Sequence, residues 1–63
     1  MDEKERRELQ ALKSEFERIL QKLNQEIIDF PLDGDEEEYK FKSEKAIYFR
    51  DLLKRVNRMF DEN

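Results

Sequence analysis

The chain has no cysteine and no histidine, and only one glycine and one proline among its 63 residues. Without cysteine there is no disulfide framework and no thiolate chemistry. With histidine also missing, imidazole catalysis and most zinc sites go too. The lack of cysteine leaves the redox compartment open. Long apolar runs are absent as well: Met1-Asp2-Glu3-Lys4-Glu5-Arg6-Arg7-Glu8 offers no apolar stretch for a signal peptide, and no later segment is long enough to span a bilayer. These absences lead to the expectation of a cytoplasmic protein without membrane contact.

What is present is charge and regularly spaced apolar bulk. Charged residues make up 48 % of the chain and hydrophobic ones 37 %, a balance closer to long helices or coiled coils than to a mixed globular domain. The apolar residues are large and periodic, which argues against disorder. Residues 1–63 suffice for a single domain near the lower size at which one core can offset the entropy lost on folding, so help from a partner is expected. The net charge is −4, which opposes general binding to nucleic-acid phosphates. Its distribution is uneven: five of the six residues from Asp33 to Glu38 are acidic, while Arg50, Lys54, Arg55 and Arg58 make the last turns basic.

Leu9, Leu12, Phe16, Ile19, Leu20, Leu23, Ile27 and Phe30 recur almost entirely by threes and fours, which gathers them on one helix face about 100° wide. Good helix formers lie between them, so the spacing predicts a first helix over about 2–29. Pro31 disfavours the α region at Phe30 and ends it. Pro31-Leu32-Asp33-Gly34 reads as a tight turn in a connection over 30–35, with proline fixing φ and glycine free to take positive φ. Asp35-Glu36-Glu37-Glu38 has the form of a capping box on the positive end of a helix dipole. A second helix then follows over about 36–61, its inner stripe formed by Tyr39, Ala46, Phe49, Leu53, Val56 and Phe60. The matched lengths predict an all-α fold, a two-helix antiparallel hairpin. In a rival reading the alternation Glu38-Tyr39-Lys40-Phe41-Lys42 is a short strand and Ser43 caps a later helix.

The second helix carries a further stripe, Phe41, Tyr48, Leu52 and Met59, at intervals of seven, four and seven, so that its apolar arc widens to about 160°. One neighbouring helix covers only part of that arc. Either the remainder packs inside the hairpin through a rotation of the second helix, or it is an interaction surface completed by self-association, a dimer first of all, or by a helical partner.

Chemistry has few footholds. Asp33, Asp35, Glu37 and Glu44 fall at the first, third, fifth and twelfth positions of a calcium-loop count, but Glu38 stands where that loop needs glycine. Capping and solubility account for the same carboxylates, so no metal is expected. Paired carboxylates need a concave, partly dry site to act as acid and base, and a hairpin offers none. Ser14 and Ser43 have no histidine to activate them. Arg50, Lys54 and Arg58 form one row, for which the helix dipole and ion pairs with Asp2, Glu3, Glu5 and Glu8 are sufficient reason. The expectation is a protein without enzymatic activity, cofactor, small-molecule substrate or nucleic-acid target.

Two resemblances bear on the role. Gly34-Asp35 followed by Glu38-Tyr39 and Glu44-Lys45 resembles the start of the second arm in the coiled-coil hairpin of Gre transcript-cleavage factors. It implies a regulator whose acidic tip, here Asp33, Asp35, Glu36 and Glu37, is presented to a large enzyme such as RNA polymerase. The overall layout is similar to the small hairpin co-chaperones of type III secretion, which implies a chaperone- or adaptor-like module. The leading expectation is the latter kind, a protein–protein interaction module that binds a helical partner or itself through Phe41, Tyr48, Leu52 and Met59.

Overall fold

The computed structural model describes residues 2–62. Among them are two helices of equal length, α1 (Glu3–Ile28) and α2 (Glu36–Asp61), and no strand. Each start is set by an aspartate in extended conformation. The Asp2 carboxylate accepts a hydrogen bond from the Glu5 N–H at 2.7 Å, and that of Asp35 from the Glu37 N–H at 2.9 Å, so each supplies an acceptor that the first turn lacks. Acidic residues stand in both first turns, Glu3 and Glu5 in α1 and Glu36, Glu37 and Glu38 in α2, where the dipole favours them. The capping box expected at Asp35 forms only in part: its carboxylate takes the second amide rather than the third, and among the described residues Glu38 makes no return bond.

α1 ends at Asp29, whose N–H donates to the Gln25 carbonyl at 3.0 Å while the Gln25 amide donates to the Asp29 carboxylate at 2.9 Å. The chain then reverses through Pro31 to Gly34, closed by the Gly34 N–H donating to the Pro31 carbonyl at 3.0 Å. The turn is as expected, but the reason for glycine is not. Gly34 does not have positive φ. A Cβ there would collide with Cε1 of Phe30 and stand 2.8 Å from Cζ, so glycine is required because the aromatic ring folds back over the turn.

The rival strand over 38–42 does not form, since α2 runs through it and Ser43 lies inside the helix. An isolated strand has no ladder to satisfy its amides, whereas as helix the same segment places Tyr39 against Phe30, 5.4 Å between ring centroids.

Four contacts fix the antiparallel register from tip to base: Phe30 with Tyr39, Glu26 with Lys42, Phe16 with Phe49, and Lys13 with Phe60. Leu23 on α1, and Ala46 and Val56 on α2, are buried. The other inward residues are half-buried, apart from Leu12 and Tyr39, which remain exposed. Two cylinders touch along a line, and the dry zone is no wider than that line. The result is a rod of 50 × 15 × 12 Å whose radius of gyration is 14.7 Å, against about 11 Å for a compact domain of this length.

The ion pairs expected between Arg50, Lys54 or Arg58 and the acidic start of α1 do not form among the described residues. Glu3 pairs within its own helix with Arg7 and Glu15 with Arg18, and the pair that crosses between helices is Lys42–Glu26 at 3.2 Å. Pairs one turn apart on one helix need no interhelical fit, so they win at an open end.

Candidate functional site

The outer stripe of α2 lies where the spacing put it. Inward residues occupy one side of the helix, and the positions about 100° away from it turn largely away from α1. Phe41 is 61 % exposed, Tyr48 62 % and Met59 48 %, while Leu52 is half-buried. α2 is therefore not rotated to draw this stripe into the hairpin. The ammonium of Lys45 lies 5.4 Å from the centroid of the Phe41 ring, which shields one face of that ring. Tyr48 meets Phe49 edge to face, 5.6 Å between centroids, and so is anchored to the interior on one side.

The stripe extends onto α1 in a way that periodicity did not reveal. Leu12, assigned by its spacing to the inner face, is 44 % exposed and shares a shallow groove with Leu9 and Met59 at the base of the rod. It sits at the edge of the α1 stripe, and a wheel alone does not tell an edge from a centre. Ile28, Leu32 and Ile47 are further exposed apolar side chains that the stripes did not include. Ile28 borders a groove with Leu20 and Leu53 on a separate face, and Leu32 caps the tip. Their signal in sequence is only that each is apolar and off-period.

The acidic tip is exposed throughout. Asp33, Asp35, Glu36 and Glu37 all face solvent, and Asp35 is engaged in capping α2. No group of three or more acidic side chains among the described residues is arranged to hold a metal ion. The hollows near the tip are open: one runs under Phe30 and Pro31 toward the Glu26–Lys42 pair, another lies between Leu32, Glu36 and Tyr39. Among the described residues no polar or charged side chain is buried. Arg50, Lys54, Arg55 and Arg58 are exposed. No described helix is long and apolar enough to cross a membrane.

Compared with models of protein families, with curated proteins and with solved structures, the chain shows no significant match.

Proposed function

We propose that this chain is a non-catalytic, cytoplasmic interaction module, a helical hairpin that binds a helical protein partner or a copy of itself through Phe41, Tyr48, Leu52 and Met59. One observation carries the reading: Phe41 and Tyr48 are more than three-fifths exposed on a hairpin that buries only Leu23, Ala46 and Val56 among its described residues. Large aromatic side chains left in water along one line are the surface that a helix of another protein covers. The hollows near the tip are open to solvent, which suits a surface that binds over one that encloses a substrate.

The test is photo-crosslinking in the source cell with a reactive analogue placed at position 41 or 48, and at Lys54 as an exposed control. Discrete adducts from 41 and 48, weak at 54 and lost on Leu52→Glu, are expected. Equal labelling from all three positions would overturn the reading. Neutralising Asp33, Asp35, Glu36 and Glu37 to their amides should leave the adducts intact. Loss of the adducts on that change would transfer the function to the acidic tip.

A further inference from the structure

We propose that the surface covering the outer stripe of α2 is the same stripe of a second copy, packed antiparallel about a twofold axis near position 50 to give a four-helix bundle. This inference rests on the interaction reading above and names its partner. The stripe is symmetric in sequence about that position: Phe41 and Met59 lie nine residues to either side, and Tyr48 and Leu52 two. A twofold contact requires that if residue i meets j, then j meets i. Antiparallel pairing satisfies this with Phe41 on Met59 and Tyr48 on Leu52, each aromatic ring against an aliphatic side chain of the other copy. Parallel pairing would instead set ring on ring and bring two acidic tips, Asp33 to Glu38 of each copy, to the same end.

The flanking charges favour the same arrangement. Glu44, Asp51 and Arg58 follow the outer edge of the stripe at intervals of seven, and Asp51, beside the axis, faces its own copy in either orientation. In the antiparallel register Glu44 of one copy stands beside Arg58 of the other, twice by symmetry, which is how flanking positions set helix orientation. Both are exposed, and neither takes part in an ion pair among the described residues. Arg55, on the same outer edge, is long enough to lay its stem along the seam and keep its charge in water.

The area also matches. The chain exposes 5369 Å², where a compact monomer of its mass exposes about 4,400 Å². The surplus, on the order of 1,000 Å² per chain, is close to the ~800 Å² that each partner buries in a standard interface.

The test uses the full chain, whose lack of cysteine allows single thiols to be placed at will. Sedimentation equilibrium should give two copies, and Tyr48→Glu should raise the dimer dissociation constant by ~100-fold or more, since a symmetric interface places the charge there twice. Circular dichroism checks that the variant keeps its helices. Independently of that variant, a short bis-maleimide should link Glu44→Cys to Arg58→Cys in an equimolar mixture far better than it links either to itself. A monomer at every concentration overturns the second copy; if crosslinks from position 48 to another protein persist, the broader reading stands. A dimer that survives Tyr48→Glu overturns both. Preferred self-linking of Glu44→Cys, or a mass above two copies, overturns the antiparallel pair alone.

Discussion

Tyr48 and Phe49 are neighbours in sequence on different sides of α2, yet their rings meet at 79°, and Phe49 in turn packs 5.8 Å from Phe16 of α1. The outer stripe and the interior are thus joined through one aromatic ring. The two residues should respond differently to truncation. Phe49→Ala removes the interhelical ring contact and should cost ~2–4 kcal/mol, whereas Tyr48→Ala should cost ~1 kcal/mol or less in the dilute chain. Chemical denaturation at low concentration measures both, and equal losses would make Tyr48 part of the interior.

Gly34 provides a sharper test of the turn. Because its φ is not positive, Gly34→Ala is penalised chiefly by the Phe30 ring, with the Pro31 carbonyl oxygen, 3.1 Å from the added Cβ, a lesser obstacle. A loss of ~1–3 kcal/mol is expected, the cost of forcing a packed side chain aside. In a Phe30→Ala background the same change should cost much less, so the two substitutions should be strongly non-additive. A cost that persists without the ring would place the constraint in the backbone.

The helices and the antiparallel turn were legible in the sequence because each depends on short-range chemistry: threefold and fourfold apolar spacing, Asp35 as a cap, Pro31 as a stop. The depth of burial was not. Leu12 and Leu23 sit on the same predicted face, but one is exposed and the other buried, since a line of contact between two cylinders selects the middle of a stripe and leaves its edges wet. The role of Gly34 was misread for a related reason, because the ring that excludes a side chain there is placed by tertiary folding and not by turn type. The outer stripe could be read from spacing, while its extension to Leu12 needed both helices in place.

Lys42 stands on the inward line of α2 and pairs with Glu26 where both side chains are partly exposed, 23 % and 38 %. Solvent screens such a pair, so a double-mutant cycle with Glu26→Gln and Lys42→Met should give a coupling below ~1 kcal/mol that fades with salt. Replacing both by leucine should leave the hairpin equally stable or more so. A coupling of several kcal/mol would show that this pair, rather than the apolar line, sets the register.

The acidic tip separates by residue. Asp35→Ala removes the cap of α2 and should cost ~1 kcal/mol, while Asp35→Asn keeps an acceptor and should cost little. Asp33→Asn, at an exposed site that makes no hydrogen bond among the described residues, should stay within ~0.5 kcal/mol. Thermal melts distinguish these cases. If Asp33→Asn proved as costly as Asp35→Ala, the carboxylate at 33 would hold a contact within the turn.

Ala46 is 3 % exposed, within the stretch of α2 bracketed by the Glu26–Lys42 and Phe16–Phe49 contacts, so its small side chain sits where the two helices close on each other. Ala46→Leu adds bulk to a line that has no room for it and should destabilise the hairpin by ~1–3 kcal/mol. Ala46→Gly should cost ~1 kcal/mol through helix propensity alone. The exposed neighbour Ile47 serves as control: Ile47→Ala should change stability by less than ~0.5 kcal/mol. Because the leucine acts by prying the helices apart, it should also abolish the small coupling between Glu26 and Lys42, which Ile47→Ala should leave unchanged. An Ala46→Leu chain as stable as the parent, with that coupling intact, would mean that the helices meet along a different line, and the assignment of inner and outer stripes on α2 would have to be reversed.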